Sequence, residues 1–219
     1  MRIKNLLNPA VLIAAAGLFI VASCTNNTAH IPILGTRTAY THEVKGKQVT
    51  DTLYHTIPAF KMLDQDSTLT DNSRFNGHIY VADFFFTSCP SICPIMQKNM
   101  LKLFKEFKDE RDIAFLSYTI DPLHDTPAKL KKYSRQLGVD GKKWYFVTGN
   151  RDSTYVLAEK GYYATAKSDS TAPGGFVHSG GLILVDKERR IRGIYDGTQE
   201  EEVDKLSQDL KLLQAEETR

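Results

Sequence analysis

The chain is poor in the residue that staples small extracellular folds. Its 219 residues include only three cysteines, Cys24, Cys89 and Cys93. Three do not make a disulfide framework, and the single close pair would close too short a loop to hold a fold. Such a pair points instead to redox chemistry or to a metal. An excess of one charge is lacking too. Lysine and arginine total 28 against 26 aspartates and glutamates. Without residues 1–23, which carry Arg2 and Lys4, the two classes are equal. A nucleic-acid footprint needs a basic excess, so no nucleic-acid partner is expected. There is no internal repeat, low-complexity stretch or acidic tail. Glu200-Glu201-Glu202 reads as the favourable acidic first turn of a helix.

Long apolar runs are confined to the N-terminus. Arg2 and Lys4 precede an apolar stretch, Leu6–Val21, broken only by Asn8 and Pro9. It is short for a spanning helix and right for a signal segment. Val21-Ala22-Ser23-Cys24 looks like a bacterial lipobox, with cleavage before Cys24 and a lipid on that cysteine. The competing reading is an uncleaved membrane anchor. Thr25-Asn26-Asn27-Thr28 then serves as a polar tether. Either way the domain is expected in the cell envelope, outside the cytoplasm and tied to a membrane. The expected organisation is a lipoprotein signal peptide over 1–23, a tether over 24–35 and one domain over 36–219, long enough for a normal core.

Along that domain the apolar pattern changes period in an ordered way. Thr38–Val44 and Gln48–Tyr54 alternate around Lys45-Gly46-Lys47, a hairpin signal. Ile57–Leu63 predicts a strand with Asp64–Ser67 as its turn. Ile79–Phe86 predicts a buried strand, Pro94–Phe107 a helix with Ile95, Leu101, Phe104 and Phe107 inward, and Ile113–Ile120 the next strand. Pro127–Leu137 reads as a helix, Trp144–Thr148 as a strand and Thr154–Lys160 as a short helix. Lys167–Gly175 reads as a loop. Leu182–Val185 and Ile191–Tyr195 read as a strand pair, and Glu200–Leu213 as a closing helix. This order is α/β, with a central mixed sheet, flanking helices and an N-terminal β-hairpin extension. Ligands in such sheets sit beyond the carboxyl ends of the strands.

The chain turns on Ile79–Met96, IYVADFFFTSCPSICPIM. The buried run stops at Thr87-Ser88, and two cysteines follow, each with a proline after it. A residue before proline is pushed out of the α region, and Pro94 suits a first helical position. Neither cysteine is then expected in regular helix. Cys93 is expected at about the N-cap, where the helix dipole favours a thiolate. Cys-x-x-x-Cys lets two thiolates spread around a metal ion or close to a disulfide. Soft thiolates select Cu(I), zinc or iron–sulfur, and two are too few for a cluster or a structural zinc site. Cu(I) fits best. On spacing alone, a plain structural pair is an equal reading.

Three segments in order make the pattern specific: Phe86-Thr87-Ser88-Cys89-Pro90-Ser91-Ile92-Cys93-Pro94, then Ser117–Pro127 (SYTIDPLHDTP), then Val177-His178-Ser179. Together they resemble the SCO/SenC family of copper-binding proteins over about residues 55–215. The resemblance implies a thioredoxin-like fold and copper, as Cu(I) or Cu(II), held by Cys89, Cys93 and His178. It implies service in assembly of the copper centre of cytochrome c oxidase, by delivering copper or by reducing the receiving cysteines. The partners implied are a subunit II-like protein and copper donors. Ser91 stands where the family usually has Asp, and Val177 where Asp usually precedes the histidine. Neither change removes a ligand.

Asp121 and Asp125 match the family's acidic turn, which gives them a supporting role beside the metal. Read from the residues alone, Asp125 or Thr126 caps the helix that Pro127 opens. His124 reads as solvated, and Met96 and Met100 as core residues with soft sulfur in reserve. His42 and His55 read as packing or surface residues. Two function classes stand: a membrane-tethered copper metallochaperone, and a thiol–disulfide oxidoreductase using Cys89 and Cys93 as its redox dithiol. A peroxidase ranks last, since no arginine lies near Cys89 in sequence. His178 separates the first two, because a reductase has no need of an imidazole opposite its dithiol.

Overall fold

The apolar run that organises the sequence becomes the middle of a sheet. In the computed structural model, which describes residues 30–139 and 142–218, all seven residues of Ile79–Phe85 are buried. The first elements among the described residues are β1 (Arg37–Val44) and β2 (Lys47–Tyr54), an antiparallel ribbon in full register from Arg37↔Tyr54 to Val44↔Lys47. Lys45 and Gly46 both take positive φ at its tip, as a tight hairpin turn requires. Next come β3 (Lys61–Asp64), β4 (Leu69–Asp71) and β5 (Ile79–Phe85). Helix α1 (Cys93–Phe107), β6 (Ile113–Thr119), α2 (Pro127–Leu137) and β7 (Trp144–Thr148) complete two crossovers. Then follow α3 (Arg151–Val156), continued by a π turn over Leu157–Gly161, and β8 (Ala166–Ser168), β9 (Phe176–His178), β10 (Gly181–Val185), β11 (Ile191–Asp196) and α4 (Glu200–Glu217).

The main sheet has the order β11-β10-β5-β6-β7-β3-β4. β5, β6 and β7 are parallel, and the outer strands on both sides are antiparallel to their neighbours. This is the mixed α/β sheet with an N-terminal hairpin that the sequence predicts. α1 presents Met96, Met100, Leu103 and Phe107 to the core at three- and four-residue spacing. Ile95, expected inward, is 48% exposed. One helical step rotates the side chain by about 100°, so the seam runs through Met96 instead, while Leu101 and Phe104 only flank it. α4 buries Val203, Leu206, Leu210 and Leu213 and is tied to α1 by Lys102–Asp204 and Lys211–Glu106 ion pairs.

Several boundaries differ from the sequence reading. The strand expected at Ile57–Leu63 begins only at Lys61, because Phe60 N–H is taken by the Asn72 side chain rather than by a ladder. β4 is an unforeseen strand of three residues. The short helix starts earlier, at Arg151, where Asn150 accepts from Ser153 N–H as its cap. The expected loop over Lys167–Gly175 begins inside β8, which pairs with β9. α4 runs on to Glu217. Among the described residues no helix is long and apolar enough to cross a membrane. Residues 1–29, with Cys24 and the expected signal segment, lie outside the described residues.

Candidate metal centre

The register of β10 on β5 decides the site. Ile183 faces Ala82, Leu184 faces Val81 and Val185 faces Tyr80. The start of β10 is thereby placed beside the carboxyl end of β5. His178, just before β10, arrives at the turn that carries Cys89 and Cys93. The β8–β9 hairpin holds it there, with Ala166 opposite His178. Gly174 fits this hairpin onto the turn: its φ is +76°, and a Cβ there would lie 2.9 Å from Phe86 and 3.1 Å from Pro90. Only glycine allows both the conformation and the approach.

Cys93 Sγ lies 3.0 Å from His178 Nε2, and Cys89 Sγ 3.9 Å from the same nitrogen. All three ligand atoms fall within 4.8 Å of one another, and all three residues are buried. His178 Nδ1 lies 3.1 Å from the Ser179 carbonyl. A carbonyl only accepts, so Nδ1 carries the proton and the Nε2 lone pair faces the sulfurs. Burial also lowers the imidazole's pKa, partly opposed by that hydrogen bond, which keeps the ring neutral. Both cysteines are free thiols. Two sulfurs and a neutral imidazole nitrogen form a soft set that fits copper and offers too few ligands for structural zinc.

The two thiols are unlike, and not in the expected sense. Cys93 is not the cap but the first residue of α1, with Ile92 in the cap position and no side chain capping. Burial pushes its pKa well above the ordinary thiol value, reinforced by Cys89, against one opposing backbone hydrogen bond. The helix dipole does not win, because removing the thiolate from water costs more than a dipole worth about 1 kcal/mol returns. Cys89 is the thiol held below the usual value. Burial opposes its ionisation, but backbone N–H groups of Ser91 and Cys93 and the Ser91 hydroxyl outweigh it.

Asp125 supports the turn from the second crossover. It is wholly buried and accepts from Thr87 N–H at 2.9 Å, from the Thr87 hydroxyl and from the Thr119 hydroxyl at 2.7 Å. Lys129 Nζ lies 3.2 Å away. Thr126, not Asp125, caps α2, accepting from Lys129 N–H. Asp121 is buried but turns to His124 at 2.9 Å; it does not join the three ligand atoms. His124 itself is 71% exposed. Met96 and Met100 lie in the core. His42 pairs with Asp51, and His55 Nε2 meets the Gly161 carbonyl.

One buried cluster escaped the sequence reading. Asp83, in the middle of β5, accepts from Gln97 Nε2 at 2.6 Å and from the Ser117 hydroxyl, which in turn accepts from Trp144 Nε1 at 2.9 Å. Gln97 stands one turn below Cys93 on α1. Burial raises the Asp83 pKa to about 7, against the two hydrogen bonds that lower it. The available signal was an aspartate inside an otherwise apolar strand.

Comparison with known proteins places the whole chain rather than the site. The SCO1/SenC family model matches residues 48–213. An SCO1 protein homolog of Bacillus subtilis is 29% identical over 168 residues, covering 76% of this chain and 86% of its own length. An SCO2-like protein of Rickettsia prowazekii is 26% identical over 191 residues, covering 85% of this chain and 86% of its own. A SCO1/SenC family lipoprotein of Bacillus anthracis superposes with a TM-score of 0.67 at 27% identity, over 74% of this chain and 96% of that one. BsSco, a member of the Sco family of cytochrome c oxidase assembly proteins, superposes with a TM-score of 0.65 at 28% identity, over 74% and 94%. With its sheet, its Cys-x-x-x-Cys turn and its histidine hairpin in one frame, the chain belongs to the SCO1/SenC family.

Proposed function

We propose that this chain is a membrane-tethered copper metallochaperone that holds copper through Cys89, Cys93 and His178. The observation that carries the reading is the meeting of two thiols with one imidazole lone pair within 4.8 Å. Copper is the cargo here, and its acceptor is a cytochrome c oxidase subunit II-like protein, in keeping with the assembly role of the Sco family to which BsSco belongs. The chain's own residues do three things. Asp125 fixes Thr87 and so the turn before Cys89. The Ser179 carbonyl fixes the imidazole tautomer. Gly174 lets the histidine hairpin close on Phe86 and Pro90. Residues 1–23 act as a lipoprotein signal peptide, with the lipid on Cys24; the tether, expected over 24–35, ends at His30, since residues 30–34 dock on the domain.

A thiol–disulfide oxidoreductase is the second reading, and the unlike thiols favour it. Cys89, the more acidic thiol, attacks a partner disulfide and releases one partner thiolate. Cys93 then attacks the mixed disulfide and loses its proton to solvent. A Cys89–Cys93 disulfide forms, two electrons pass to the partner, and the partner leaves as a dithiol. His178→Ala separates the readings. Competition of the reduced protein against a Cu(I) chelator should show a large loss of affinity, while oxidation of the dithiol proceeds. Wild-type copper affinity in His178→Ala would remove His178 from the site and leave the oxidoreductase reading in front.

A further inference from the structure

The site and the chain's entry into the fold lie at opposite ends of the sheet. Ile31 and Pro32 offer their carbonyls to Arg192, whose side chain is 1% exposed. Arg192 also pairs with Asp186 at 3.2 Å and with Glu216 at 2.8 Å. Glu216 in turn holds His30 Nδ1 at 2.8 Å, and Leu34 N–H donates to the Ile191 carbonyl at 2.8 Å. Residues 30–34 are thus pinned where β10 ends, β11 begins and α4 finishes. Asp186, Glu188 and Glu217 also gather there, but Arg190 and Arg192 already pair with all three, so it is a docking clamp rather than a cation site.

β10 measures the separation. His178 precedes its first residue, Gly181, and Asp186 follows its last, Val185. Five extended residues at about 3.3 Å each set the two ends roughly 17 Å apart. β5 repeats the measure: Tyr80, level with Val185, is near its start, and Cys89 follows its end. We infer that the chain presents its metal centre on the end of the domain opposite the clamp, facing away from the membrane to which the N-terminal segment ties it. The inference rests on the reading of Cys24 as a lipid-bearing anchor. From Cys24 to His30 the chain reaches at most about 20 Å, at roughly 3.3–3.6 Å per residue. To bring the metal centre down to the bilayer, that tether would have to be drawn nearly straight along the flank of the domain. Any shorter span between Cys24 and His30 leaves the centre facing outward.

The test uses the full lipidated chain in vesicles containing a headgroup-labelled acceptor lipid. Cys89→Ser and Cys93→Ser remove the competing thiols. A donor dye is placed at Leu123→Cys, in the exposed turn after β6 at the metal end, or at Asp109→Cys, in the exposed turn before β6 at the clamp end. Energy transfer to the lipid should be clearly stronger from position 109 than from position 123. Equal transfer, or stronger transfer from position 123, overturns the outward presentation while leaving the anchor intact. A chain that does not sediment with the vesicles defeats the anchor, and the presentation falls with it.

Discussion

Asp83→Asn should flatten the pH dependence of stability. The carboxyl is fully buried, and its pKa in the fold is about 7. In the unfolded chain it returns to about 3.9. A carboxyl raised in this way contributes its full stability below the unfolded value and loses it as pH climbs through the folded value. Between those values the native state holds the extra proton, so stability falls by about 1.4 kcal/mol per pH unit. From pH 5 to pH 8 the loss amounts to about 3 kcal/mol. Asparagine keeps the shape and an oxygen for Gln97 Nε2, and it carries no charge. The substitution itself costs about 1 kcal/mol for an altered hydrogen bond, at any pH. The assay is urea denaturation of the reduced, metal-free protein at half-unit steps from pH 5 to pH 8. Every other titrating group is common to both proteins, including Glu217, raised to about 7 by burial and neighbouring acids, so the difference isolates Asp83. The variant should begin somewhat less stable than wild type at pH 5 and end more stable at pH 8. A difference that stays constant over this range would refute the buried, proton-holding carboxyl.

Asp125→Ala strips a buried acceptor from Thr87 and Thr119; it should cost about 3 kcal/mol or more in denaturation and weaken copper binding by loosening the turn before Cys89. Gly174→Ala meets both a φ of +76° and a 2.9 Å contact with Phe86; a loss of about 1–3 kcal/mol is expected, with reduced copper affinity and protection of β8–β9 amides from hydrogen exchange. Iodoacetamide with peptide mapping should modify Cys89 well before Cys93 at neutral pH, since one thiol is eased toward ionisation and the other is held back by burial; equal rates would contradict that difference.

The chemistry of this protein is largely local, and so the sequence carries it. A buried run ending in Thr-Ser-Cys-Pro, with Pro94 opening a helix, sets a strand, a turn and two thiols within eighteen residues. The periods of the flanking segments are enough for the α/β order and for the hairpin. What chain-local pattern leaves open is anything set by partners far away in sequence. Cys93 reads as an activated thiol from its place at a helix start; packing buries it and reverses the sign. Ile95 and Met96 both read as core positions, and only the docked sheet decides between them, burying Met96 and leaving Ile95 exposed. Asp125 reads as a cap until β5 brings Thr87 to it across 38 positions. His178 lies 85 residues from Cys93, and no periodicity joins them. Their meeting depends on β10 pairing antiparallel to β5 in one register. A slip of a single residue would turn the side chains of β10 to the other face of the sheet and shift the approach of His178 to the two sulfurs.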